Sequence, residues 1–283
     1  MSRLFDVFGA AVLSLVALRK GFVPALHVIA IALPLLLAAG FLSGLGAGLP
    51  LAVLGLWLPV LVLSLVLRQT ASPALMLQAG VALFGSVVAG WYMLEAAPLE
   101  TMRTFLEQQV LPLFERMEGA PRELSDEQLQ ALARIAPALM AAGILMISGV
   151  TVFIGRWWQA MGFNPGGFRE EFHRLRHGRS AALVMAALLV TALLTGQAVV
   201  MGFALASLVA LVFQGIALVH GVIAATGQSG LWLWGMYGLL LLLPLPATVL
   251  LAIAGSVDNW MDFRRLAGQD AGKTNEMRDR KGE

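Results

Sequence analysis

Residues 200–225 read VMGFALASLVALVFQGIALVHGVIAA, and this stretch decides the fold of the chain. It contains no Asp, Glu, Lys or Arg, and neither does the longer run over residues 180–257 that surrounds it. A bilayer has a hydrocarbon core of about 30 Å, which an α-helix of about 20 apolar residues can span. Backbone polar groups in hydrocarbon must be paired within the chain, so the stretch predicts a transmembrane helix.

The composition of the whole chain agrees with this prediction. Of its 283 residues, 59% are hydrophobic and 13% are charged. A soluble domain has about 45–50% apolar and about 25% charged residues, so the composition excludes a soluble enzyme and a disordered chain. Cysteine is absent, which excludes disulfides, thiolate metal sites and thiol nucleophiles. A net charge of +2 gives no reason to expect nucleic acid, and the expected surroundings are a lipid bilayer.

Apolar runs of this kind recur along the chain and predict an all-α, polytopic transmembrane helix bundle. We expect one helical domain over residues 1–265 and a charged tail over residues 266–283. Segment 5–18 is short and follows Arg3, which fits a signal anchor or a short helix packed in the bundle. Segment 231–256 contains Pro244 and Pro246, so it is either a full span or a broken, re-entrant helix. The apolar segments, about eight in number, are 5–18, 22–41, 49–67, 74–94, 136–155, 181–197, 200–225 and 231–256.

A long acidic loop over residues 95–135 interrupts the apolar runs. Its apolar residues recur at helical spacing, which fits an amphipathic helix on the membrane or over the mouth of the bundle. A solvated hairpin that connects two spans explains the charges equally well. Residues 119–121 (Gly-Ala-Pro) should break the first helix, and a capping box of Ser125 and Gln128 should begin a second. The helical spacing rests on Met102, Phe105, Leu106, Leu113, Phe114 and Met117.

A second loop, over residues 156–180, is basic and aromatic. Trp157 and Trp158 lie where a span would leave the hydrocarbon, as aromatic belt residues do. A turn then follows, because proline fixes φ and glycine tolerates positive φ; its residues are Asn164, Pro165, Gly166 and Gly167. Beyond the turn, helical spacing predicts an apolar face and a basic face, with a Glu170–Arg174 pair between them. The apolar face is Phe168, Phe172 and Leu175, and the basic face is Arg169, His173 and Arg176.

Two interpretations of this basic loop remain open. It is either an aromatic belt followed by a positive-inside loop, which accounts for Arg156 and the other arginines, or a docking surface for a cytoplasmic or membrane protein at residues 156–176. The apolar face would then lie on the lipid surface and the basic face would be offered to the partner.

Polar side chains elsewhere give a few further candidates. Gln214 and His220 lie six residues apart in one apolar segment, so they face different directions. Gln214 is either a hydrogen-bonding link between helices or a ligand contact, and His220 is either solvated at a helix end or functional. After segment 231–256, a cluster predicts either a simple exit helix or a specific contact with another loop, with Asp262 and Arg265 as an i, i+3 pair. The cluster is Asp258, Trp260, Asp262, Arg264 and Arg265.

Nothing in the sequence supports catalysis, a cofactor or a metal. Paired membrane acids, a nucleophile elbow and a zinc motif are all missing. His173 and His177 have an i, i+4 spacing typical of metal ligands, but the surrounding arginines disfavour a cation. Residues 267–274 resemble a loosened phosphate-binding loop without the strand and helix that the chemistry requires, so we expect no nucleotide binding.

The distribution of Lys and Arg leaves the orientation open. If all eight segments cross, eight basic residues lie on one side and eleven on the other. If one late segment does not cross, the six basic residues of the tail move to the side that has eight. That side then has 14 basic residues and the other has 5. We predict that the 156–180 loop faces the cytoplasm and the 95–135 loop faces outward. The side of the tail stays open.

Three stretches resemble YybS-like proteins, a family of uncharacterised bacterial inner-membrane proteins. They are residues 156–176 with the Asn-Pro-Gly-Gly-Phe turn, residues 214–220 (QGIALVH) and residues 258–265 (DNWMDFRR). More distantly, the chain is similar to the substrate-binding subunits of energy-coupling-factor transporters and to the rod-shape protein MreD. The likeness to energy-coupling-factor subunits implies a small-molecule-binding or transport subunit with separate energising partners. The likeness to MreD implies a non-enzymatic scaffold of the cell envelope. Both imply a multi-pass protein of the bacterial inner membrane.

Overall fold

The computed structural model describes residues 2–114, 124–267 and 269. All regular secondary structure in this part of the chain is helical, which confirms the predicted helical bundle. The expected break at residues 119–121, the phosphate-loop-like stretch and most of the 266–283 tail lie outside the described residues. The elements are α1 (Ser2–Lys20), α2 (Phe22–Leu42), α3 (Gly48–Thr70), α4 (Pro73–Leu94), α5 (Pro98–Phe105), a π-helical turn (Leu106–Val110), α6 (Leu111–Phe114), α7 (Asp126–Phe163), α8 (Gly167–His173), α9 (Arg179–Thr195), α10 (Ala198–Thr226), α11 (Leu231–Leu242) and α12 (Pro244–Met261).

Five of these helices are long and apolar enough to cross a membrane, which is the composition of a membrane protein. They are α2, α3, α4, α7 and α10. The other three predicted segments differ. Helix α1 carries charges near both ends, and α9 has 17 residues, at the short end of the spanning range. The last segment is broken in two.

Helix α1 is a packed element of the bundle, one of the two alternatives that its sequence allowed. Ala10, Leu13 and Ser14 are fully buried, and the hydroxyl of Ser64 on α3 donates a hydrogen bond of 2.8 Å to that of Ser14. At its end, the guanidinium of Arg68 donates to the carbonyls of Ala17 and Leu18. These contacts fix α1 against α3.

The segment 231–256 does not form one continuous helix. It breaks at Leu243, where φ is −132° and ψ is 64°, and Pro244 begins α12. Proline lacks a backbone N–H and clashes with the preceding turn, so α11 cannot continue through it. The segment is therefore a broken helix, and the contacts at its two ends are described below.

Helices α10 and α12 approach each other closely through two glycines. A Cβ atom added to Gly255 would lie 2.6 Å from the carbonyl oxygen of Leu211, and one added to Gly215 would collide with the backbone of Leu251. The backbones of α10 and α12 are therefore in direct contact at this crossing.

The acidic loop packs on the extension of α7 that precedes the predicted span. Met102 and Leu106 are buried against Leu129 and Ala133, and the hydroxyl of Tyr92 donates to the carbonyl of Arg134. The capping box of Ser125 and Gln128 is confirmed. Two members of the predicted apolar face, Phe105 and Leu113, are exposed instead. A π-helical turn lies between these two residues. It has more residues per turn than an α-helix, so the residues that follow it are rotated out of the predicted face.

Most of the basic residues meet at one end of the bundle, which we call the basic face. The guanidinium of Arg19 lies 3.3 Å from the centroid of the Phe163 ring, beside the turn into α8. The α3–α4 turn and the 171–176 segment line one depression. Ten described basic residues lie at this end, against Arg3, Arg103 and Arg134 at the other; the ten are Arg19, Lys20, Arg68, Arg156, Arg169, Arg174, Arg176, Arg179, Arg264 and Arg265.

Candidate ligand-binding site

The turn after α7 has the conformation that its sequence predicted. Gly166 has a φ of +87°, a region that glycine adopts without strain. A Cβ atom on Gly167 would collide with the side-chain amide of Asn164. The Asn164–Gly167 turn therefore reverses the chain tightly and places α8 back against α7.

The apolar face of α8 packs into the bundle, so the expectation that it lies on the lipid surface is wrong. The ring centroid of Phe153 on α7 lies 5.7 Å from that of Phe168 and 5.5 Å from that of Phe172. Phe213 of α10 completes the cluster, 5.4 Å from Phe153. Such rings gain more by packing edge to face in a core than by contacting lipid.

Leu175 and Arg176 do not belong to the helical faces predicted for them. Helix α8 ends at His173, so the spacing that placed Leu175 and Arg176 on its faces no longer applies. Leu175 is buried in the main core, 2% exposed. No ion pair joins Glu170 to Arg174 in the described chain; instead Glu171 accepts two hydrogen bonds from Arg156, one from Nε at 2.9 Å and one from Nη2. This bidentate pair attaches α8 to α7.

The two tryptophans have different environments. Trp158 stacks against Phe8 of α1, with ring centroids 6.3 Å apart. Trp157 is 48% exposed and lines two cavities. Only Trp157 is placed to meet a ligand or a partner.

After α8, residues 174–178 run without helix into the bundle, where several of their polar groups are hydrogen-bonded. The backbone N–H of His177 donates to Oε1 of Gln214 at 3.1 Å, and its ring Nε2 lies 2.9 Å from the carbonyl oxygen of Ala210. The amide of Gln78 on α4 donates to the carbonyl of His177. Gln214 also donates to the carbonyl of Gly255 at 2.6 Å. Gln214, fully buried, is thus a link between α10, α12 and this loop.

The exit segment, residues 258–265, contacts this loop directly, so the specific contact is present and the simple exit helix is not. Nε of Arg176 lies 3.1 Å from Oδ2 of Asp258, and Nη1 lies 3.3 Å from Oδ1 of Asp262. Arg264 donates to the carbonyl of Leu175 at 3.0 Å. The predicted Asp262–Arg265 side-chain pair is wrong, because Asp262 adopts a φ of +47° and ends the helix. Trp260 is 45% exposed, as belt residues are.

These contacts place both ends of α11–α12 at the basic face. The turn before α11, with Gly227, Gln228 and Gly230, lines one cavity together with Arg169 and His173. The end of α12 contacts Leu175 and Arg176. The segment therefore enters and leaves the bundle on the same side, and the tail begins at the basic face.

Next to α8, two cavities meet and form what we call the crevice. One has a volume of about 600 Å³ and lies between α7, α8, α10 and α11. The other, about 440 Å³, opens toward the 227–230 turn. Arg169, His173 and His220 line both. The larger cavity is otherwise mostly apolar and aromatic; its walls include Val150, Phe153, Ile154, Trp157, Phe213 and Tyr237.

The polar groups of the crevice lie at the junction of the two cavities. The rings of His173 and His220 have centroids 6.0 Å apart, and Nε2 of His220 lies 3.0 Å from the hydroxyl oxygen of Tyr237. Phe172 packs edge-on against His220. Burial, followed by the positive charge of Arg169, lowers the pKa of His173 below its usual value, with His220 and Arg264 adding to the effect. The residues that line the crevice include no Asp or Glu.

The sequence did not indicate this junction. His220 and Gln214 were correctly predicted to face different directions, but Tyr237 carried no signal, and His173, whose ring lies beside that of His220, belongs to α8. A third cavity of about 990 Å³ between α10, α11 and α12 is almost wholly apolar. Among the described residues, no group of three or more His, Cys, Asp or Glu is placed to hold a metal ion.

Comparison with known proteins found no matching family model, no matching curated protein and no matching solved structure. The resemblance to YybS-like proteins therefore stays a prediction. The function has to be argued from the crevice and the basic face themselves.

Proposed function

We propose that this protein is a non-enzymatic, membrane-integral subunit that binds a small molecule in the crevice, as part of a transport system. The observation that supports it is the junction of Arg169, His173 and His220 at the meeting point of two cavities. Small-molecule sites are typically concave, mostly apolar and about 300–1,000 Å³, with a few polar groups that converge. Both cavities fall in that range.

We further propose that the basic face lies in the cytoplasm of a bacterium and that the protein resides in its inner membrane. The ten described basic residues at this face, against three at the other end, support this orientation through the positive-inside rule. The acidic loop would then face outward. The crevice opens at the basic face, so its ligand would enter or leave on the cytoplasmic side.

The likeness to energy-coupling-factor transporters agrees with this proposal, since substrate-binding subunits of that kind work with separate energising proteins. The basic face is where such a partner would attach. Trp157, Arg169 and Arg174 are exposed there, outside the ion pairs that hold the face together.

A reporter cysteine tests the binding proposal, because the chain has no cysteine of its own. Ile154→Cys lies on the wall of the larger cavity, and Val184→Cys, on the exposed side of α9, is the matched control. We expect that one fraction of a bacterial metabolite extract slows maleimide labelling of Ile154→Cys and leaves that of Val184→Cys unchanged. If no fraction gives this selective protection, the crevice is not a ligand site.

A second function, a cell-envelope scaffold that resembles MreD, is favoured by the same exposed side chains. A partner docked on the basic face would contact Arg169 and Arg174. Arg176 is a poor probe because it pairs with Asp258. If the protein is a scaffold, Arg169→Glu with Arg174→Glu should remove co-purifying proteins, whereas Arg265→Glu should retain them. An unchanged set of partners would exclude docking at this surface.

A further inference from the structure

We infer that the crevice takes an amphiphilic anion, with a carboxylate or phosphate at the junction of the two cavities and an apolar tail in the larger one. This inference rests on the proposed function and adds the chemical class of the ligand. Three features of the crevice support it. They are the positive charges around the junction, the lack of an ion pair at Arg169 within the described residues, and the apolar walls of the larger cavity.

The charges favour an anion. Arg169, His173 and His220 line the junction, Arg264 contributes a further positive charge to it, and the lining contains no carboxylate. A bound cation would meet repulsion from Arg169 without any carboxylate among the described residues that line the crevice. An anion would meet one guanidinium and two imidazoles, which can donate hydrogen bonds in their neutral form.

Arg169 is available for such a ligand. Arg156 pairs with Glu171, and both Arg176 and Arg264 pair with Asp258. Arg169 has no ion pair within the described part of the chain, and it lines both cavities of the crevice. A planar guanidinium can bind a carboxylate or phosphate through two parallel hydrogen bonds.

The larger cavity suits an apolar tail. Its walls away from the junction are aromatic and aliphatic, with Phe153, Ile154 and Trp157 among them. A ligand with its charged end at Arg169 would extend its apolar part between these side chains. Burial of each CH₂ group there is worth about 0.8 kcal/mol, so the tail would supply most of the binding free energy. The charged end would favour an anion over a neutral molecule of the same length.

Two sources could provide this chemistry: an anionic membrane lipid and a free amphiphilic acid. The shared feature is one anionic group joined to an apolar chain. The probe should therefore be a simple molecule of this kind, with a neutral analogue of the same length as its control.

Quenching of Trp157 by ω-bromoundecanoate provides the test, with ω-bromoundecanol as the neutral analogue. The protein is the full chain in phosphatidylcholine nanodiscs, and subtraction of the Trp157→Phe signal isolates the fluorescence of Trp157. We expect the carboxylate to quench at about ten-fold lower concentration than the alcohol, because a charge-assisted hydrogen bond discriminates by that much or more. Arg169→Gln should remove this preference, and Arg174→Gln, an exposed neighbour outside the crevice, should retain it.

The outcomes separate the inference from the proposed function. Equal quenching by the acid and the alcohol would show an amphiphile site without selection for an anion, and would overturn the inference alone. Failure of both probes to quench Trp157 would also overturn the inference, whereas the proposed function fails only if no extract fraction protects Ile154→Cys. If the preference is present, replacement of a fraction of the lipid by phosphatidylglycerol identifies the source: competition with the bromo acid indicates a lipid ligand, and its absence indicates a free acid.

Discussion

Arg176 and Asp258 join the loop after α8 to the end of α12, although 82 residues separate them in the sequence. Nε of Arg176 lies 3.1 Å from Oδ2 of a carboxylate that is fully buried, and Arg176 also donates to the backbone carbonyl of Asp258. Arg264 approaches the same Oδ2 atom at 3.5 Å. One buried acid thus compensates two arginines at the point where the chain leaves the bundle.

Removal of this buried charge should destabilise the protein strongly. Asp258→Asn leaves Arg176 and Arg264 close together without their shared carboxylate, and the loss of one partner of a buried pair costs about 3–5 kcal/mol. Asp262→Asn is the matched control, because its side chain is 41% exposed and such pairs are worth about 1 kcal/mol or less. Thermal unfolding in detergent measures both variants. Equal midpoints for the two would contradict the central role of Asp258.

Substitution of Gln214 should also destabilise the protein strongly. Gln214→Leu removes the acceptor of the His177 N–H and the donor to the Gly255 carbonyl, both buried. The buried His177 N–H would be left without a partner, which costs about 1–3 kcal/mol, whereas the Gly255 carbonyl keeps its bond from Asn259. Gln108→Leu, at an exposed position, should leave the unfolding midpoint nearly unchanged. A Gln214 variant as stable as the Gln108 variant would mean that this hydrogen-bonded link adds nothing to stability.

Single cysteines should show that the 156–178 loop and the exit segment share one side of the membrane. Glu170→Cys and Arg265→Cys, both exposed at the basic face, should resist an impermeant thiol reagent in intact cells. Glu127→Cys, at the start of α7, should react. Glu170 is a better probe of this loop than Gly167, because a side chain at Gly167 would collide with Asn164. Reaction at Arg265→Cys alone would show that α11–α12 crosses the membrane, and a reversed pattern would invert the orientation.

Stability should fall on acidification, partly through His173. Its pKa is lower in the folded protein than the unfolded value of about 6.5, so the unfolded chain binds the proton more tightly. The stabilisation is fully present above pH of about 6.5 and is lost as the pH falls through the folded pKa. His173→Gln should therefore reduce the slope of the unfolding midpoint against pH in comparison with the wild type. Equal slopes in the wild type and His173→Gln would contradict this.

The sequence predicted the parts of the fold that depend on local chemistry. Helices followed from runs of apolar residues, and the start of α7 followed from the capping box of Ser125 and Gln128. The break before Pro244 was one of the two alternatives that the prolines of segment 231–256 left open. The turn at residues 164–167 followed from the conformations open to proline and glycine. Each of these signals acts within a few residues, which is why it can be read from the sequence.

The contacts of the basic face could not be predicted in the same way. Helical spacing assigned Arg176 to a face with Arg169, but α8 ends at His173 and Arg176 reaches Asp258 instead. Spacing also paired Asp262 with Arg265, although a left-handed backbone at Asp262 ends the helix there. His220 and Tyr237 meet because two helices pack together, a relationship that no local spacing records.

Native mass spectrometry of the protein released from mild detergent measures directly whether the crevice holds a small molecule. Val150→Trp places a large ring at the wall of the crevice, and Val184→Trp places the same ring on the exposed side of α9. We predict one additional small-molecule mass per chain in the wild type and in Val184→Trp, and its loss in Val150→Trp. An adduct that persists in Val150→Trp, or a wild-type protein that carries none, would contradict the account.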